Sequence, residues 1–250
     1  MRRALACLIV LTFAAACSDG ARVVRDVGDI ETPSEAIVVV YSHGTKRPQV
    51  REDCDADYNR VPDSLTGLQL PGLSILFLCS KATEDRTRPI GNYVYQRVGE
   101  IADTLDRLAA RGVGPERIFL AGHSAGGWSS LMASVDHGDR FNGVIAFAPT
   151  FAGPRREIAK HPNWRRTAFP RQVARMTSAP RIDALVFAYE NDPFNRAQEL
   201  RFLAGQWPET VRLVSYGCGG HAHLTHLNDC REDETRRLIR AFIRSEMAGG

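Results

Sequence analysis

Six stretches of this chain are apolar with almost no interruption, and that pattern excludes most architectures. The first reads Ala36-Ile37-Val38-Val39-Val40-Tyr41. A strand with one wet face alternates apolar and polar side chains. A strand without alternation is covered on both faces, as in a parallel sheet between two layers of helices. Residues 73–79, 117–121, 143–148, 184–189 and 211–216 carry the same signature.

Helical patterns lie between these runs. Val94, Val98, Ile101, Leu105 and Leu108 recur at helical spacing over 93–111, and Gly112 and Gly114 close the segment. Residues 125–135, 196–203 and 232–247 also read as helices. Strands alternating with helices predict an α/β fold with a mostly parallel central sheet flanked by helices. The rhythm breaks over 151–180, which is rich in Arg, Pro, Trp and Phe and has no strand. It reads as a small cap insertion over one end of the sheet. The domain is expected over 35–250, after a polar tether at 18–34 that holds one short element around residues 21–27.

Met1-Arg2-Arg3 followed by an apolar run from Ala4 to Ala16 reads as a signal peptide over 1–17, too short to span a bilayer. Ala14-Ala15-Ala16-Cys17 resembles a bacterial lipobox with alanine in place of the usual leucine. That resemblance implies lipidation of Cys17, membrane anchoring and a place in the periplasm or envelope. Export makes the remaining cysteines, Cys54, Cys79, Cys218 and Cys230, disulfide candidates. The local pairings Cys54–Cys79 and Cys218–Cys230 are preferred, and without a Cys-x-x-Cys pair no metal site is expected. A net charge of +3 with no long Lys/Arg block argues against a nucleic-acid partner.

The chemistry-bearing motif is Gly122-His123-Ser124-Ala125-Gly126. Gly-x-Ser-x-Gly alone is weak, but here an apolar strand runs into it and a helical segment follows. Such a turn is too tight for bulky Cβ atoms at the flanking positions, hence the glycines. It lifts Ser124 into the open at a helix N-terminus, which favours developing negative charge. Acyl transfer also needs donors aimed at an oxyanion, and the N–H of Ala125 follows the nucleophile directly. Ser42-His43-Gly44-Thr45 leaves the first long strand where a second donor belongs. Glu190-Asn191-Asp192 follows the fifth strand and offers a carboxylate to orient a histidine. The loop after the last strand holds His221, His223 and His226.

These pieces together resemble the α/β-hydrolase superfamily over roughly residues 35–248, most nearly its dienelactone-hydrolase-like and small carboxylesterase members. The resemblance implies a serine hydrolase that cleaves small-molecule carboxylic esters and needs no cofactor. Ser124 is the implied nucleophile and Asp192 the acid, with Glu190 as the alternative. The base is His223 or His221: Gly219-Gly220-His221 resembles one ending common in the family, and His223-Leu224-Thr225 resembles another. Thr45, or alternatively Gly44, is the implied second oxyanion donor beside Ala125, with His43 orienting its loop. A Cys218–Cys230 bridge would brace the histidine loop. Two other functions share the fold: a prolyl-oligopeptidase-like peptidase and a catalytically inert envelope binding protein. The cap arginines Arg155, Arg156, Arg165 and Arg166 suit either a solvated face or an anionic substrate. Oligomeric state is not legible.

Overall fold

The unbroken apolar runs need cover on both faces, and the chain supplies it in a three-layer arrangement. The computed structural model describes residues 20–45, 54–81, 93–156, 163–218, 222–227 and 230–249. In chain order the elements begin with β1 (Arg22–Val24), β2 (Ile37–Ser42), α1 (Asp63–Thr66), β3 (Leu73–Leu78) and α2 (Tyr93–Ala110). Next come β4 (Ile118–His123), α3 (Ala125–His137), β5 (Gly143–Phe147) and α4 (Trp164–Met176). The last are β6 (Ala184–Tyr189), α5 (Ala197–Gln206), β7 (Val211–Tyr216), a short 3-10 helix (Ala222–Leu227) and α6 (Glu232–Gly249).

The seven strands form one sheet in the order β1-β3-β2-β4-β5-β6-β7, and every pairing is parallel. Alternate residues of each central strand feed two separate cores. Val38, Val40, Leu120, Val144 and Val186 face Leu105 of α2, Trp128 of α3, Met176 of α4 and Leu200 of α5. Val39, Tyr41, Phe119, Ile145 and Phe187 face Leu65 of α1 and Ile239 and Ile243 of α6. Burial of apolar surface on both sides, at roughly 25 cal/mol per Å², is what the unbroken runs contribute. The strand β7 departs from the expected pattern, because Arg212 and Ser215 are exposed. It is the sheet edge with one neighbour, so part of it meets water.

The short element expected around residues 21–27, within the tether at 18–34, is the strand β1. Arg22–Val24 pair with Ser74–Leu76 at the sheet edge, and Val24, Val27 and Ile30 are buried in the first core. The described part of 151–180, expected as an overhanging cap, supplies the helix α4 to the helix layer. Phe169 packs on Trp128 with ring centroids 5.8 Å apart, and Met176 is buried.

Crossovers from β2 and β4 depart in opposite directions, β2 leading to β3 and β4 to β5 on its other side. The crevice beyond the carboxyl ends of adjacent strands that diverge in this way is where open α/β sheets bind ligands. The register sets Ser42 beside Gly122 and His123 beside Phe147, so the loops after β2 and β4 meet there.

Candidate active site

Ser124 sits in the turn between β4 and α3 at φ +53°, ψ −119°. A side chain at positive φ is strained, and the surroundings must hold it there. They do so from β5, from the loop that follows it and from the first turn of α3. The Ser124 N–H donates to Phe147 O of β5 at 2.9 Å, and its carbonyl accepts from Trp128 and Thr150 N–H, each at 3.0 Å. The flanking glycines are required by approach rather than flexibility. A Cβ on Gly122 would lie 2.6 Å from Ser42 O, and one on Gly126 would overlap the same oxygen.

The histidine loop reaches this serine from β7. His223 Nε2 lies 2.9 Å from Ser124 Oγ, and His223 Nδ1 lies 2.8 Å from Asp192 Oδ2. Asp192 follows β6 and is 0% exposed. Its other oxygen accepts the Phe194 N–H at 2.7 Å. With Nδ1–H donated to the carboxylate, Nε2 is left to accept the serine proton. The ring of His223 is held between Phe194, at 4.3 Å between centroids, and His123, at 4.9 Å.

Of the other candidates, His221 lies outside the described residues. Glu190 is exposed and faces Gly217, where a Cβ would lie 2.9 Å from its Oε2; Asp192 is the carboxylate that meets His223. Cys54 is bonded to Cys79 and Cys218 to Cys230, with Cα atoms 5.6 and 6.2 Å apart. The second bridge joins the two ends of the histidine loop. Cys17 lies outside the described residues.

His123 escaped the reading of the sequence. Its Nε2–H donates to the His223 carbonyl at 2.7 Å, tying the histidine loop to the serine turn. The available signal was its place inside the Gly-x-Ser-x-Gly motif, directly before the nucleophile.

The loop after β2 packs on the same turn. His43 is fully buried and stacks on Phe77 at 5.9 Å. Ser80 N–H donates to its Nε2 at 3.1 Å, so Nδ1 carries the proton and donates to Gly44 O at 2.5 Å. Burial first, and then the charge of Arg97, push the His43 ring down to about 3, so it is neutral at ordinary pH. A Cβ on Gly44 would lie 2.9 Å from His123 Nδ1, which shows how closely this loop approaches the serine turn. Among the described residues, one group has metal-ligand chemistry by type: His43, Cys54 and Cys79, with ligand atoms within 4.8 Å of one another. Both sulfurs are bonded to each other and Nε2 accepts the Ser80 amide, so these donors are already engaged.

The 151–180 stretch is fastened to the acid loop. Arg155 N–H donates to Pro193 O at 2.8 Å, Arg165 Nη2 to Asn195 Oδ1 at 2.7 Å, and Asn195 Nδ2 to Pro149 O at 2.8 Å. The Arg155 side chain pairs with Glu199. Burial first, then repulsion from Arg155, lowers the pKa of the Arg165 guanidinium, while Glu199 and Asp192 oppose the shift. These two arginines therefore have structural partners.

Comparison with known proteins bears on the fold. The model of the prolyl oligopeptidase family matches residues 91–165, which span α2, the serine turn and β5. No curated protein sequence matches the chain. Thermogutta terrifontis esterase 2 is similar over 86% of this chain and 85% of its own, at 17% identity and a TM-score of 0.58. DcsB, solved in complex with its substrate analogue, is similar over 84% of this chain and 91% of its own, at 14% identity and a TM-score of 0.61. Oligopeptidase B from Leishmania major matches 88% of this chain at 13% identity and a TM-score of 0.57, but only 33% of its own length is covered. The chain has the α/β-hydrolase fold.

Proposed function

We propose that the protein is a serine hydrolase that cleaves carboxylic esters of small molecules through an acyl-enzyme on Ser124. The observation that carries this reading is the single imidazole of His223 spanning Ser124 Oγ at 2.9 Å and Asp192 Oδ2 at 2.8 Å. His223 Nε2 takes the Ser124 proton as Oγ attacks the ester carbonyl carbon. The N–H groups of Ala125 and Thr45 hold the oxyanion. Collapse breaks the bond to the alcohol oxygen, which leaves with the proton from Nε2. Water then gives a proton to the same nitrogen, attacks the acyl carbon and releases the acid, and the proton returns to Ser124. Asp192 keeps the imidazole in the required tautomer and stabilises its cation.

A peptidase is the second reading, favoured by the prolyl oligopeptidase family match over 91–165. A short-chain nitrophenyl ester and a peptide anilide, given to the wild type and to Ser124→Ala, separate the possibilities. Ester turnover lost with Ser124→Ala supports the esterase. Anilide turnover without ester turnover supports the peptidase. If neither substrate turns over and a fluorophosphonate fails to label Ser124, the catalytic reading fails and a binding role replaces it.

The same reading takes the protein to be exported. Two disulfides suit an oxidising compartment, and the lipobox-like run before Cys17 suits a lipid anchor in the envelope. Mass spectrometry of the mature N-terminus tests this: an unmodified, uncleaved Met1 would contradict it.

A further inference from the structure

The buried face of α2 is apolar except for Thr104 and one cation. Val94, Val98, Ile101, Leu105 and Leu108 line it, and Arg97 stands among them at 2% exposure. Burying a guanidinium carries a desolvation penalty that only well-made partners offset, and Leu or Met would fill the space without it. The use of the charge is visible in its partners. Arg97 Nη1 donates to His43 O at 2.5 Å, and Nη2 reaches Gly44 O at 3.3 Å. Gly44 O is also the acceptor for His43 Nδ1–H. One guanidinium therefore holds two consecutive carbonyls of the loop after β2.

In a trans peptide the N–H points away from the C=O across the same plane. Holding His43 O fixes the direction of the Gly44 N–H, and holding Gly44 O fixes that of Thr45. Those are the two N–H groups that the sequence offers as partners for Ala125. The loop that carries them lies on the serine turn, since a Cβ on Gly126 would crowd the Ser42 and His43 carbonyls. A cation on the carbonyl side also polarises each peptide, which strengthens its N–H as a donor.

We propose that Arg97 is a positioning residue: its guanidinium locks the His43–Gly44 and Gly44–Thr45 peptides so that the oxyanion donor is preformed. The inference rests on the serine-hydrolase reading. Arg97 touches no reacting atom and acts through the backbone of the loop. Two of its features suit the task better than lysine would: a planar fork matches two adjacent carbonyls, and its charge persists at all working pH values.

The test is ester hydrolysis by the full chain with Arg97→Met, Arg97→Lys and Arg97→Ala, with active sites counted by stoichiometric fluorophosphonate labelling. Removing an oxyanion-hole donor outright costs roughly 10²–10³ in kcat, and a misaimed donor costs part of that. The expected result for Arg97→Met is a kcat per labelled site lowered about tenfold to hundredfold, with KM little changed. Affinity for a trifluoromethyl ketone inhibitor should fall in parallel. Arg97→Lys should recover part of the loss. Arg97→Ala should be rescued in a saturable way by millimolar guanidinium and not by sodium chloride at equal ionic strength.

Two outcomes overturn the inference. One is Arg97→Met with wild-type kcat per site. The other is a loss of labelled sites and of thermal stability with kcat per remaining site unchanged, which makes Arg97 a packing residue only. Absence of Ser124-dependent turnover in the wild type is a different failure. It removes the hydrolase reading itself, and this inference with it.

Discussion

His43 makes the folded state sensitive to acid in a way that can be worked out in advance. Its ring is fully buried, stacked on Phe77, and close to the disulfide sulfur of Cys54 at 3.4 Å. The charged groups that act on it are Arg97 and Arg25, both cations, and both oppose protonation. Burial, the larger cause, acts in the same direction, so the folded-state value falls from 6.5 to about 3. The unfolded chain takes up this proton below about pH 6.5 and the folded chain does not. Acid therefore favours unfolding, and stability falls as pH drops from about 6.5 towards 3. Each full pH unit in that window costs about 1.4 kcal/mol, which gives about 2 kcal/mol between pH 7 and pH 5. Urea unfolding of the wild type and His43→Asn at both pH values isolates this one group. Asn keeps a donor near the Nδ1 position and cannot titrate. The variant should be the less stable at pH 7, and the gap should shrink by about 2 kcal/mol at pH 5. Equal pH slopes in the two proteins, or a His43 ring resonance that titrates near 6.5, would refute the burial argument.

Asp192→Asn should lower kcat by about 10⁴ through the wrong imidazole tautomer, with the thermal transition retained; a loss below tenfold would remove Asp192 from the mechanism. His123→Phe keeps an aromatic ring beside His223 but removes the 2.7 Å bond to its carbonyl. Its kcat should drop about tenfold, the effect of roughly 1.4 kcal/mol of misplacement, while fluorophosphonate still labels Ser124. The Cys218→Ser/Cys230→Ser pair opens a loop with a sequence separation of 12. Calorimetry should show a destabilisation of about 3 kcal/mol, and ester turnover should fall further than the folded fraction does, because His223 lies within that loop.

Much of the fold was legible because the sheet is buried. Residues 184–189 and 211–216 form strands with the bounds their apolar runs suggest, and the period of Val94 to Leu108 matches a helix over Tyr93–Ala110. The helix α4 was not legible. Its sequence Trp-Arg-Arg-Thr-Ala-Phe-Pro-Arg-Gln-Val-Ala-Arg-Met is polar and carries Pro170 inside the helix. What makes it a helix of this layer is the packing of Phe169 and Met176 on the core around α3. The short element around residues 21–27 was expected, but its place in the sheet escaped for a related reason. A three-residue strand has too little pattern of its own, and it becomes a strand only because β3 offers an open edge.

The sequence by itself determined the class of fold, the serine turn and the residue types placed around it. Unbroken apolar runs admit few environments, and Gly122 and Gly126 answer a steric demand that the turn makes wherever it occurs. The choice between His223 and His221 was beyond it, because each sits in a plausible local setting in the same glycine-rich loop. Only the tertiary structure brings His223 to Asp192, 31 residues away, and to Ser124, 99 residues away. The roles of His123 and Arg97 are likewise invisible in one dimension. A buried polar side chain is read from its partners, and those partners belong to the His223 and His43–Gly44 loops, distant in sequence and adjacent only in the folded chain.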